Sequence, residues 1–183
     1  HPFIMLVQMA EDYAYAHADT VISMLPKAKE YMVSRGMRPD KFNYIPNGID
    51  PDEWSGDSRL PEDTARTLDE LRLRDLPLVG YAGTHGLANA LDTFLDEAAL
   101  LKGKVEFVMV GKGPERKRLK ERVRVEKLDN VKMLPVLAKK EVPAFLEAVD
   151  IAYIGWNKNP LYKFGISPNK LMDYMMAGKS VVH

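Results

Sequence analysis

From residue 76 onward, short aliphatic and β-branched runs alternate with helical patterns, and this alternation constrains the fold more than any other feature of the chain. Such runs, buried on both faces, read as parallel strands, and parallel strands need a crossover, here a helix, between each pair. The spacing predicts strands over 76–82, 105–110, 131–134, 151–154 and from 181, with helices over 87–101, 115–127, 139–148 and 168–177. The expected fold class is α/β, a Rossmann-like parallel sheet with right-handed crossovers. In an open sheet of this kind the ligand sits outside the carboxyl ends of the strands, so the residues just after each strand are the ones to search.

Before residue 76 the pattern predicts a helix over 8–17, a strand over 20–23, a helix over 26–35 ended by Gly36, and a strand over 42–45 closed by Pro46, Asn47 and Gly48. Residues 50–75 then carry nine acids against four Arg and include Pro51, Gly56 and Pro61. That composition marks a linker with a surface helix, giving stretches 1–50, 51–75 and 76–183. The chain starts His1, Pro2 and stops just after a new strand begins, so it is expected to be a fragment of a longer protein.

Charge and cysteine content remove several function classes. Lys plus Arg and Asp plus Glu are 26 each, leaving no basic excess for phosphate contacts along a nucleic acid. No Cys is present, which removes disulfides, thiolate zinc sites and Cys nucleophiles and fits a reducing compartment. No apolar run approaches the ~20 residues that span a bilayer, and no signal peptide opens the chain. A cytoplasmic location is expected.

Residues 164–178 are the most informative stretch. Ser167 suits an N-cap and Pro168 the first helical position, so a helix start with free N–H groups is predicted there, a ready anion pocket. Lys170 and Asp173 are three apart and share one face of an otherwise apolar helix. Two readings stay open: an exposed Lys–Asp pair on a core helix, or a cation near phosphate beside a carboxylate that accepts ribose hydroxyls. After the first strand of this region come Gly83, Thr84, His85 and Gly86, whose glycines let backbone approach a ligand or merely shape a turn. After the second, Gly111, Lys112, Gly113 and Pro114 form neither a dinucleotide fingerprint nor a P-loop. The helix over 115–127 carries seven basic residues against three Glu, a solvated face or a face for anionic lipid. Asp50, Pro51 and Asp52 spell an Asp-x-Asp metal pattern inside ordinary turn chemistry. Trp156 to Pro160 form a polar loop able to border a sugar pocket, with Trp156 itself read as packing.

Taken together, these segments resemble a bacterial or archaeal glycosyltransferase of family 4, the retaining family with the two-lobed GT-B fold. The resemblance rests on Ala18 to Ile22, Ile45 to Asp50, Tyr81 to Gly86, Val110 to Pro114, Asn130 to Leu134 and Ser167 to Gly178 in that order. Residues 162–174 are similar to the subgroup containing fucosamine transferases of O-antigen assembly. It implies that 1–50 ends an N-terminal acceptor lobe and that 76–183 is a truncated C-terminal lobe for the donor nucleotide sugar. It further implies that Ser167, Pro168, Asn169, Lys170 and Leu171 contact the donor diphosphate, with Lys170 and Asp173 the catalytic pair and Asp173 also binding the ribose. Gly83, Thr84, His85 and Gly86, with Gly111 and Gly113, would lie near the phosphates, and Val136 and Leu137 would bind the base through backbone.

The implied donor is a nucleotide-diphosphate sugar, UDP-linked, and the acceptor a glycan or lipid-linked glycan of polysaccharide or lipopolysaccharide synthesis. No metal or other cofactor is expected, and contact with an anionic membrane is at most peripheral, at its inner face. The fragment alone is expected to be inactive. Two departures stand out: Gly165 occupies the place of the first of two Glu found eight residues apart in many relatives, and residues 80–92 lack the wider family's Arg and Lys pair. A sugar-nucleotide epimerase of the same fold and a non-catalytic nucleotide-binding module are the competing readings.

Overall fold

The structure is a computed structural model that describes residues 1–54 and 56–183; residue 55, within the expected linker, lies outside the described residues. The chain divides into two compact units, residues 1–48 with 158–169, and residues 49–157 with 170–183.

The first unit contains α1 (Pro2–His17), β1 (Val21–Ser23), α2 (Lys29–Ser34) and β2 (Phe42–Tyr44). α1 is longer than the sequence predicts, because Pro2 at its start fixes a helical φ and His1 accepts a capping bond from the Phe3 N–H. β1 and β2 pair in parallel with Val21 opposite Phe42. Asp12 binds the Arg35 guanidinium through two bonds (2.8 and 2.6 Å), tying α1 to the end of α2. Residues 158–169 join this unit through long-range bonds: the Lys27 N–H donates to the Phe164 carbonyl (3.1 Å), and Asn47 Nδ2 donates to the Ser167 carbonyl (2.7 Å). Phe3, Ile4, Met5, Leu6 and Met9 stand exposed along α1. Among the described residues no helix is long and apolar enough to cross a membrane.

The second unit is a sheet covered on both faces. Its elements are α3 (Glu62–Arg72), β3 (Leu78–Ala82), α4 (Leu91–Leu100), β4 (Glu106–Val110), α5 (Arg116–Val125), β5 (Val131–Leu134), α6 (Val142–Ala148), β6 (Ile151–Tyr153), α7 (Asn169–Met176) and β7 (Ser180–Val182). All five strands are parallel, in the order β5-β4-β3-β6-β7. The chain winds outward from β3 to β5, then returns to the other side of β3 for β6 and β7. The direction of winding therefore switches between β3 and β6.

Strand alternation sorts the core into two layers. Val79, Tyr81, Phe107 and Met109 pack with Phe94, Leu95 and Leu119 of α4 and α5. Leu78, Val108 and Val110 pack with Leu68, Leu71, Phe145, Leu146 and Tyr174 of α3, α6 and α7. Each fully buried aliphatic or aromatic side chain here is worth about 1.5–3 kcal/mol relative to exposure.

Three expectations are corrected. The helix predicted over 87–101 is broken: a short turn at Leu87–Asn89 leads into Ala90 at φ 46°, and α4 starts after it. Ala90 is buried and its carbonyl accepts the Tyr153 hydroxyl (3.0 Å), a tertiary bond that helical propensity does not register. The last helix begins at Asn169 rather than Pro168, so Ser167 does not stand directly before its first residue and is fixed instead through its carbonyl. Finally, α3 is more than a surface helix, since Leu68 and Leu71 are core residues and Arg72 donates to the Ala148 carbonyl (2.9 Å).

Candidate functional site

The turns after β3 and β4 are built as a pair. The Gly83 N–H donates to the Val110 carbonyl (3.1 Å), the His85 N–H to the Lys112 carbonyl (2.8 Å), and the Glu115 N–H to the His85 carbonyl (3.0 Å). The two backbones come so close that a Cβ at Gly111 would meet the Gly83 carbonyl and one at Gly113 would meet the His85 carbonyl. Both glycines also have positive φ, 143° and 155°, so residue type and conformation agree. Arg116, at the start of α5, donates to the Gly111 carbonyl (2.9 Å) and holds the second turn from below.

Above these turns lies a cleft of about 260 Å³ at the carboxyl ends of β3, β4 and β5, walled on one side by α7. Seven residues singled out from the sequence line it together: Gly83, Thr84, Gly111, Val136, Leu137, Lys170 and Asp173. Lys112, Val142 and Tyr174 line it too. Lys112 went unselected because the Gly-Lys-Gly turn matches no phosphate-loop pattern; its place after a strand was the available signal. Among the described residues, His85, Gly86, Gly113 and Leu171 do not border this cleft. His85 and Gly113 lie in the paired turns, and Leu171 packs on the core layer of α3 and α6. Ser167, Pro168 and Asn169 belong to the first unit.

Lys170 and Asp173 face the same cleft, but the Lys170 ammonium is bonded to Asn89 Oδ1 (2.8 Å) and lies 5.3 Å above the Tyr81 ring. Burial holds its pKa below the ordinary lysine value. Lys170 is thus half-buried, held by an amide oxygen and an aromatic face.

His85 is fully buried; its ring nitrogens meet no side-chain partner among the described residues, and the backbone of Val110 favours the protonated ring. Burial first, then the nearby Arg116 charge, push its pKa down to about 4, so the imidazole is neutral at pH 7.

Three of the six basic residues of α5 form ion pairs among the described residues. Arg118 binds Asp92 (2.6 Å) and Glu115 (2.6 Å), Arg122 binds Asp92, Asp96 and Glu126, and Arg124 binds Glu121 (2.6 Å). The Asp-x-Asp pattern closes a local turn, with Asp50 Oδ1 accepting from the Asp52 N–H (3.0 Å). Among the described residues no group of three or more His, Cys, Asp or Glu is placed to hold a metal ion. Trp156 stacks on His183 (5.2 Å between ring centres) and packs against the second core layer, as a packing residue does.

Known proteins share the fold that carries these turns. The Bacillus subtilis (strain 168) protein TuaH, a glycosyltransferase assigned to teichuronic acid biosynthesis, is 28% identical over 144 residues, covering 78% of this chain and 34% of that one. Anabaena Alr3699/HepE, solved with UDP and glucose, superposes with a TM-score of 0.73 at 20% identity, covering 97% of this chain and 47% of that one. Sucrose-phosphate synthase from Thermosynechococcus elongatus superposes with a TM-score of 0.69 at 19% identity, covering 97% and 43%. The chain thus spans about a third to a half of these relatives. Its fold is the α/β, parallel-sheet arrangement of GT-B glycosyltransferases. The family described as "Glycosyl transferases group 1" matches residues 76–183, the paired glycine turns and the α7 wall included, and the chain belongs to that family.

Proposed function

We propose that this chain carries the donor-binding part of a retaining glycosyltransferase of family 4 that moves a sugar from a UDP-linked donor to a glycan or lipid-linked acceptor in polysaccharide or lipopolysaccharide synthesis. The observation that carries the reading is the convergence of Gly83, Gly111, Lys112, Lys170 and Asp173 on one cleft at the strand ends. Close-approach backbone suits phosphate oxygens, the cations offset their charge, and a carboxylate is the acceptor that ribose hydroxyls need. Support also comes from HepE, whose solved structures hold UDP or UDP-glucose, and from TuaH, assigned to teichuronic acid biosynthesis.

In this reading residues 1–50 end the acceptor lobe, 51–75 link, and 76–183 form the donor lobe, within the subgroup containing fucosamine transferases and in the cytoplasm, with at most peripheral contact at the inner face of the membrane. As the sugar leaves, negative charge grows on the departing diphosphate. Lys170, already held in place, stabilises that charge without reorganising. Asp173 fixes the ribose, and Val136 and Leu137 border the base. No step is assigned to a metal.

The test is calorimetric titration with UDP, with GDP and NADH as controls, repeated on Asp173→Ala. Loss of a charge-assisted ribose contact weakens UDP by ~10–100-fold, the equivalent of ~1.5–3 kcal/mol. Preference for NADH, or an unchanged UDP affinity in the variant, overturns the donor site or the role of Asp173 respectively.

A further inference from the structure

We propose that Asn89 is a positioning residue: its side-chain amide aims the Lys170 ammonium at the cleft without itself adding a negative charge that would compete with an anionic ligand. This rests on the diphosphate reading of the cleft and adds a residue that the sequence does not single out.

The Asn89 amide is committed at both ends. Its Nδ2 donates to the Thr84 carbonyl (2.9 Å), and its Oδ1 accepts from Lys170 Nζ (2.8 Å). Exchanging the two ends would set N–H groups against the ammonium and an oxygen against a carbonyl, so the orientation is chemically fixed. The Thr84 carbonyl accepts the Tyr81 hydroxyl as well (2.8 Å), and the Tyr81 ring lies beneath the same ammonium at 5.3 Å. Gly83 leaves the path of the lysine stem open: a Cβ there would stand 3.1 Å from Lys170 Cε. One short network, Tyr81–Thr84–Asn89–Lys170, therefore joins the turn after β3 to α7.

These orienting partners of Lys170, an amide oxygen and an aromatic face, carry no net charge. A carboxylate in place of Asn89 would lose the donor bond to the Thr84 carbonyl, and its remaining contact with the ammonium would be an ion pair in a half-buried site, where Coulomb attraction is strong. A ligand phosphate would then have to compete with that partner. With a neutral amide the ammonium stays desolvated and oriented in the empty protein, and an arriving anion gains the interaction with little reorganisation.

The experiment titrates the chain, Asn89→Ala and Asn89→Asp with UDP by calorimetry, and follows the Lys170 side-chain titration by NMR. Both variants lose the bond to the Thr84 carbonyl; Ala also removes the contact with Lys170 and is expected to weaken UDP by ~3–10-fold, whereas Asp pairs the charge and is expected to weaken it by ~10–100-fold. In Asn89→Asp the Lys170 ammonium should also deprotonate at a higher pH than in the parent, which checks that the new carboxylate stands against it; the difference in UDP affinity between Ala and Asp then reads the effect of charge. Asp binding UDP as the parent does, or Ala binding as weakly as Asp, overturns the charge argument while the donor reading stands. Failure of the parent chain to bind UDP overturns the donor reading and this inference together.

Discussion

At the scale of single residues, His85 links the build of the site to pH. The unfolded chain takes up a proton on this imidazole near pH 6.5, whereas the folded protein resists it until about pH 4, because burial and Arg116 disfavour the charged ring. Between those values the unfolded state binds more protons, so stability is complete above the unfolded pKa and falls as pH drops toward about 4, by at most ~3 kcal/mol. Urea denaturation at pH 7 and pH 5 measures the slope. His85→Phe keeps a ring in the same space and should flatten that part of the profile, and an unaltered profile would show that other groups set the acid sensitivity. The sequence displays Lys170 and Asp173 as a spaced pair and the cleft indeed has both, since helical periodicity is local. It does not display Asn89, whose two bonds reach from Thr84 to Lys170 across separations no periodicity encodes.

At the scale of elements, the central strands β3 and β4 were legible because each is an apolar run buried on two faces, and β5 begins and ends where the pattern places it. The break before α4 was not legible, since Ala90 at φ 46° is held by a hydroxyl from β6. The grouping of residues 158–169 with the first unit likewise depends on bonds to Lys27 and Asn47, distant in sequence. Between α4 and α5, Asp92 is the shared acceptor of Arg118 and Arg122, and the bond from Arg118, followed by that from Arg122, holds its carboxyl below the usual carboxylate range. Because these side chains are half-exposed, Asp92→Asn should cost only ~0.5–1 kcal/mol, with the loss shrinking as salt rises. Denaturant midpoints at low and high ionic strength check both parts, and a salt-independent loss would point to the Asp92 carbonyl, which also accepts from Arg122 (3.1 Å), as the real contact.

At the scale of the whole molecule, the cleft is lined entirely by residues of the second unit, which makes a distinct prediction about where a ligand stabilises the chain. A ligand that binds the folded form alone adds RT ln(1 + [L]/Kd), about 2.7 kcal/mol at a hundredfold excess over Kd. That increment reaches an amide only if the opening that exposes it also destroys the site. Opening of β3, β4 or the paired glycine turns separates Gly83 from Gly111, so amides there should exchange more slowly with UDP present. Opening of α1 or of the β1–β2 pair leaves every lining residue in place, so amides over residues 2–44 should exchange at the same rate with and without UDP. Hydrogen exchange read by mass spectrometry distinguishes the two sets. Protection confined to the second unit would show that these lining residues suffice for nucleotide binding, and protection spreading equally into residues 2–44 would show that the ligand draws on the first unit as well.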